Sequence, residues 1–159
     1  MANKTLVAVF SASGVTKRVG EKISEIAGGD FFEITPKELY TSDDLNWMNK
    51  QSRSSVEMND PSSRPEIANQ VADMDAYDTV IIGFPIWWGV APRIIETFLE
   101  SYDFSGKTIL PFVTSGGSGV GRSDKELQKN VSGDVKWGKG VQINRPNEAE
   151  IKKWLEKTL

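Results

Sequence analysis

The run Tyr77-Asp78-Thr79-Val80-Ile81-Ile82-Gly83-Phe84 constrains the fold more than any other stretch. It is far too short to span a bilayer. It does not alternate apolar with polar, so it is not a strand with one wet face. A β-branched run this continuous predicts a strand covered on both sides, the situation of a central strand in a parallel sheet. Parallel neighbours need crossover connections, normally helical. The rest of the chain therefore has to supply helices between strands.

It does so in order. Residues 4–10 predict strand one, and 14–27 predict helix one, with Val15, Val19, Ile23 and Ile26 at helical spacing and Gly28-Gly29 closing it. Residues 30–34 predict strand two, ended by Pro36. A second helix is expected near Ser63-Arg64-Pro65-Glu66, where a Ser-x-x-Glu capping pattern precedes Ile67 and Val71. Residues 92–101 predict helix three and 107–113 strand four. Ser123-Asp124-Lys125-Glu126 opens helix four, strand five lies within 134–143, and helix five runs from about Asn147 with Ile151, Trp154 and Leu155 facing in.

Strands alternating with helices imply an α/β doubly wound, three-layer sandwich on a five-stranded parallel sheet of order 2-1-3-4-5. At 159 residues the simplest organisation is a single domain, 1–159. The exception is a connection over about 36–63, sparse in apolar residues and rich in Ser, Asp, Asn and Lys. Residues 42–48 suggest a short capped helix there. Trp47 and Met58 speak against a purely solvated linker.

In a sheet of that order, ligands bind beyond the carboxyl ends of the strands at the topological switch point. The loops after strands one, three and four, residues 11–16, 85–92 and 114–121, are also the unusual ones. Ser11-Ala12-Ser13-Gly14-Val15-Thr16 places hydroxyls and a glycine at a strand-to-helix turn, where helix N–H groups attract anions. The same residues also suit an ordinary helix cap at Ser13. Pro85-Ile86-Trp87-Trp88-Gly89-Val90-Ala91-Pro92 offers aromatic surface. Thr114-Ser115-Gly116-Gly117-Ser118-Gly119-Val120-Gly121 offers backbone without side chains in the way. A ligand matching all three has a phosphate at one end and a flat, polar-edged ring at the other, as flavin mononucleotide (FMN) does.

Composition narrows the chemistry. The chain has no cysteine and no histidine, which excludes thiolate chemistry, Ser-His-Asp hydrolysis and His- or Cys-ligated metal centres. A bound cofactor is then the expected carrier of any reaction. The net charge of −3 and the absence of a basic block argue against nucleic-acid binding. With no signal-peptide pattern and no apolar span, a cytoplasmic location is expected. Gly116 to Ser123 reads G-x-x-x-x-G-R-S, but Arg122 replaces the lysine of a phosphate-binding P-loop and also breaks a dinucleotide fingerprint. Asp43, Asp44, Glu57 and Asp60 suggest solvated surface more than a metal site. Arg53 and Arg64 are the charges most suited to a phosphate or nicotinamide donor, or else to local ion pairs.

With Ser11-x-Ser13-Gly14-x-Thr16, Pro85-Ile86-Trp87-Trp88-Gly89 and Thr114-Ser115-Gly116-Gly117 in place, the chain resembles the short-chain flavodoxins and flavodoxin-like FMN proteins over its whole length. The resemblance implies that Ser11, Ser13 and Thr16 donate hydroxyls to the FMN phosphate, joined by the N–H groups of Gly14 and Val15. It implies that Pro85, Ile86, Trp87, Trp88 and Gly89 line the isoalloxazine ring, with a peptide flip at Gly89 answering flavin N5. It implies that Thr114, Ser115, Gly116 and Gly117 meet the ring's polar edge. Adjacent tryptophans point apart, so one is expected at the flavin and one elsewhere. No protein side chain is expected to be catalytic, since the flavin carries the chemistry.

The implied function is noncovalent FMN binding and electron transfer to redox partner proteins. Flavodoxins are usually more acidic, and their connections shorter, than this chain's. An NAD(P)H-dependent FMN oxidoreductase acting on quinone-like acceptors is therefore the alternative, with a flavin-less binding module as a third.

Overall fold

A computed structural model describes residues 4–11, 14–46, 48–60, 62–86, 91–114, 127–128, 131, 134–138 and 140–158. The strands are β1 (Lys4–Val9), β2 (Asp30–Glu33), β3 (Tyr77–Pro85), β4 (Thr108–Thr114), β5 (Lys136–Trp137) and β6 (Val141–Gln142). The helices are α1 (Val15–Ala27), α2 (Arg53–Asn59), α3 (Arg93–Glu100) and α4 (Glu148–Thr158). Every strand pairing is parallel, in the order β2-β1-β3-β4-β5, and β6 also pairs with β4. The order 2-1-3-4-5 expected from the sequence is the order found.

The continuous run at residues 77–84 is the middle of the sheet, and its alternation now has two interiors to serve. Val80, Ile82 and Phe84 point with Leu6, Ala8 and Phe10 into a core closed by Ile94, Ile95 and Phe98 of α3. Ile81 points with Val7, Val9, Leu110 and Phe112 into a second core closed by Val19 and Ile23 of α1 and Ile151, Trp154 and Leu155 of α4. Gly83 falls on that second side because the Phe112 ring lies over it. A Cβ there would sit 2.1 Å from the ring's Cζ.

Three expectations need correction. The helix anticipated from Ser63 does not form. Residues 66–68 instead run antiparallel beside 35–37, with a bridge between Pro36 and Ile67. The Lys37 N–H donates to the Glu66 carbonyl at 2.8 Å, and the Ala68 N–H to that of Thr35 at 2.7 Å. The Asn69 amide completes the pairing, accepting from the Thr35 N–H at 3.2 Å and donating to the Glu33 carbonyl at 2.8 Å. These bonds compete with helix formation and win, because they cover the otherwise open edge beyond β2.

The helix of this crossover is α2, inside the stretch that showed no period. Ser52 caps it, its hydroxyl accepting from the Ser55 N–H at 3.4 Å. Residues 42–45 form turns and not a helix, locked by reciprocal bonds between Thr41 and Asp44. The expected fifth strand is split into β5 and β6, with the register on β4 advancing by one residue between Ile109–Trp137 and Phe112–Val141. The expected start of helix four lies outside the described residues, although Leu127 and Gln128 are helical. Among the described residues no helix is long and apolar enough to cross a membrane.

Candidate functional site

The carboxyl ends of β1, β3 and β4 lie side by side, and the register shows how. Val9 pairs with Gly83, and Pro85 with Thr114. The Phe10 N–H donates to the Gly83 carbonyl at 3.0 Å, and the Ile86 N–H to that of Thr114 at 3.0 Å. The loop leaving β1 and the residues ending β3 and β4 therefore share one edge.

The loop out of β1 is tight. Gly14 is the N-cap of α1 with φ 93° and ψ −12°, a left-handed conformation natural to glycine. Its N–H donates to the Ser11 hydroxyl at 2.9 Å, closing the turn. Having no side chain, Gly14 gives α1 no capping bond, and no acidic residue occupies the first turn. Among the described residues, the N–H groups of Val15, Thr16 and Lys17 are thus left facing the loop without an acceptor. Among the described residues outside its chain neighbours, a Cβ on Gly14 would meet nothing within 4 Å.

Thr16 is the hinge of the arrangement. Its hydroxyl lies 2.7 Å from that of Thr114, and the two residues are only 2% and 7% exposed. One of the two protons is used within the pair. The other has no acceptor among the described residues, which is unusual for a buried hydroxyl. The oxygen of a bound anion would supply that acceptor. Lys17 pairs with Glu33 at 3.3 Å, and that pair is half-exposed. Among the described residues, a buried hydroxyl proton and helix N-terminal N–H groups that meet no acceptor together fit a phosphate group.

Of the residues expected in the site, Ser11, Gly14, Val15, Thr16, Pro85, Ile86 and Thr114 are brought to this edge. Ser13, Trp87, Trp88, Gly89, Ser115, Gly116 and Gly117 lie outside the described residues. Arg53 and Arg64 both have carboxylate partners. Arg53 binds Glu57 at 2.8 Å, while Arg64 binds Glu100 at 2.9 Å and Glu96 at 3.4 Å. Among the described residues no group of three acidic side chains is placed to hold a metal ion.

Sequence reasoning missed Tyr40. Its ring meets Phe10 edge-on at 5.6 Å, and the Arg53 guanidinium lies 3.8 Å from the ring centroid. Its hydroxyl donates to Glu57 at 2.5 Å. Burial, and then the bond to the Glu57 carboxylate, push the Tyr40 hydroxyl well above the ordinary phenol range. The one sequence signal for this cluster was the i,i+4 spacing of Arg53 and Glu57. Arg93, at the start of α3, ties α2 down by donating to the Glu57 and Met58 carbonyls at 3.3 and 2.9 Å. The connection 36–63 is thereby packed beside the candidate edge.

A family model described as Flavodoxin matches residues 4–158. A crystal structure of a candidate flavoprotein from Bacteroides eggerthii is 50% identical, covering 98% of this chain and 97% of its own, with a TM-score of 0.93. A flavoprotein from Lactobacillus acidophilus, crystallised in complex with FMN, is 25% identical over 97% of this chain and 99% of its own, with a TM-score of 0.68. Oxidised flavodoxin 2 from Bacillus cereus shares the fold at 18% identity and a TM-score of 0.56, over 98% of this chain and 94% of its own. No curated protein matches.

Proposed function

This chain belongs to the flavodoxin family, and on that premise we propose that it binds FMN noncovalently and passes electrons to redox partner proteins. The observation that carries the reading is the buried Thr16–Thr114 hydroxyl pair beside the start of α1, with one proton that has no acceptor among the described residues. The FMN complex of the Lactobacillus acidophilus relative supports the choice of ligand.

In this reading Ser11, Ser13 and Thr16, with the N–H groups of Gly14 and Val15, hold the phosphate. The loop entered through Pro85 and Ile86 brings Trp87, Trp88 and Gly89 to the ring. Thr114 joins the loop carrying Ser115, Gly116 and Gly117 to the phosphate turn. FMN, once bound, supplies the electron chemistry. The protein's part is to hold it, shield it and orient its edges. The absence of histidine and cysteine from the chain costs such a function nothing.

A second reading, an NAD(P)H-dependent FMN oxidoreductase with a quinone-like acceptor, is favoured by one feature. The connection 36–63 is anchored beside the site by Tyr40, Glu57 and Arg93, where a plain electron carrier needs no such structure. Steady NAD(P)H consumption by the FMN-loaded protein with a quinone, and no partner protein present, would establish the reductase. No NAD(P)H consumption under those conditions, with a one-electron-reduced flavin accumulating when the FMN-loaded protein is reduced stepwise with dithionite, would establish the carrier. Both readings require Thr16, so Thr16→Val combined with Ser13→Ala is expected to weaken FMN binding at least 10-fold. Unchanged affinity would remove the phosphate assignment.

A further inference from the structure

Residues 64–71 run alongside α3 and are tied to it at both ends. Arg64 grips the Glu100 carboxylate with two bonds, at 2.9 and 3.0 Å. The Val71 N–H donates to the Tyr102 hydroxyl at 2.9 Å, and the Tyr102 ring packs in turn on Phe98 at 5.2 Å. Between the two ties the segment and the helix stand apart. The gap is a recess of about 380 Å³, with Ile67, Asn69 and Gln70 on one wall and Thr97, Ser101 and Tyr102 on the other. That volume lies within the roughly 300–1,000 Å³ of small-molecule sites.

The backbone of Ile67 decides what the recess can hold. Antiparallel neighbours alternate between pairs that exchange hydrogen bonds and pairs that do not. Pro36 and Ile67 are a pair that does not. The bonds flanking them run from the Lys37 N–H to the Glu66 carbonyl and from the Ala68 N–H to the Thr35 carbonyl. The Ile67 N–H and C=O therefore point away from residues 35–37, to the side where α3 lies. Among the described residues neither group has a partner. An extended residue presents the two side by side, a donor next to an acceptor. Asn69, Thr97 and Ser101 add no competing donor. The Asn69 amide is spent on Glu33 and Thr35. The Thr97 and Ser101 hydroxyls donate back to the carbonyls of Arg93 and Thr97, at 3.4 and 2.6 Å. Glu66, at the rim, is balanced by Lys37 at 3.1 Å.

We propose that this recess binds a small, neutral, flat ring whose carbonyl and N–H are neighbours, the lactam edge of a pyrimidinone. The ring's carbonyl accepts from the Ile67 N–H, and its N–H donates to the Ile67 carbonyl. The adjacent acceptor and donor follow from the paired groups of one extended residue, and neutrality from the balanced rim. A ring and not a peptide strand follows from the two ties, because a strand added along Ile67 would run into them. None of the lining residues is assigned to FMN, so occupancy of the recess does not depend on that assignment.

The test uses the full-length protein, with and without FMN, and uracil as the probe. Amide chemical-shift changes on titration are expected to cluster at Ile67, Ala68, Gln70 and Ser101. The control, 1,3-dimethyluracil, keeps the ring and both carbonyls but has no N–H, and is expected to bind at least 10-fold more weakly. Ile67→Pro removes the donor without costing the fold a hydrogen bond, and is expected to abolish uracil binding. Ser101→Tyr, at an exposed position, fills the recess and is expected to lower uracil affinity at least 10-fold while leaving FMN affinity within twofold. FMN binding is read separately from the flavin absorbance, so failure of the FMN reading is distinguishable from failure of this one. Shift changes confined to other surfaces, or none at the solubility limit of uracil, would overturn the proposal. So would equal affinities for uracil and 1,3-dimethyluracil, or for wild type and Ser101→Tyr.

Discussion

Thr16 and Gly14 show how much of the site depends on single side chains. Thr16 has two roles, a buried bond to Thr114 and a donor at the mouth of α1. Replacing it with valine keeps the shape but leaves the Thr114 hydroxyl unpaired, and should destabilise the fold by about 1–3 kcal/mol, read by urea denaturation. A loss below about 0.3 kcal/mol would mean that the pair is not intact in solution. Gly14, at φ 93°, should tolerate alanine poorly, at about 1 kcal/mol from backbone strain alone. The tyrosines make a second test. The bond from the Tyr77 hydroxyl to Asp30 raises its pKa to about 12, and burial raises that of Tyr40 further still. For both, the protonated form is favoured in the folded state. Their contribution is therefore complete below the ordinary phenol value of about 10 and is lost as pH climbs through the folded values. Absorbance at the phenolate band should show Tyr77 titrating near 12, and Tyr40 ionising only as the protein unfolds. Ionisation of both near 10 would contradict the two hydrogen bonds.

At the scale of elements, α2 is the informative case. Its seven residues, Arg53–Asn59, have weak intrinsic helix preference, with two serines in the first turn. It exists because Ser52 caps its start, Arg53 pairs with Glu57 across one turn, and Arg93 reaches from α3 to its last carbonyls. Arg93 is itself buried and held by Glu96 at 2.9 Å. Arg93→Ala should therefore release α2 while Glu96 keeps Arg64 as a cationic partner, a loss of about 1–3 kcal/mol from the broken charge-assisted bonds. Amide hydrogen exchange should show protection falling first across 53–59, and uniform protection would contradict Arg93's anchoring role. Only the local spacing of Arg53 and Glu57 was readable along the chain, since the Arg93 contacts that tie α2 down come from some 35 residues away. The same limit explains residues 63–73. Ser63 and Glu66 look like a capping box, but Thr35, Pro36 and Lys37 claim the backbone of 66–68 for an edge pairing. The central strand, α1 and α3 were legible because their apolar spacing encodes which layer covers them. So was the position of the Ser11–Thr16 turn, because strand order alone places it. The Thr16–Thr114 bond was not, as it joins residues 98 apart.

For the whole molecule, the two cores on either side of one parallel sheet form a scaffold whose carboxyl edge is the place left for a ligand. A ligand that binds only the folded chain stabilises it by mass action. FMN at 100 times its Kd should add about 2.7 kcal/mol, or roughly 5–10 °C in Tm for a chain of this size. Riboflavin lacks the phosphate and should give much less, because the Ser11–Thr16 turn is assigned to the phosphate alone. The most direct measurement is a titration of the purified protein with FMN, following the quenching of flavin fluorescence and the shift of its visible absorbance. The account predicts saturation at one FMN per chain, with affinity at least 10-fold weaker in the Thr16→Val, Ser13→Ala double variant. An unchanged flavin spectrum in the presence of excess protein, with the chain folded, would contradict it.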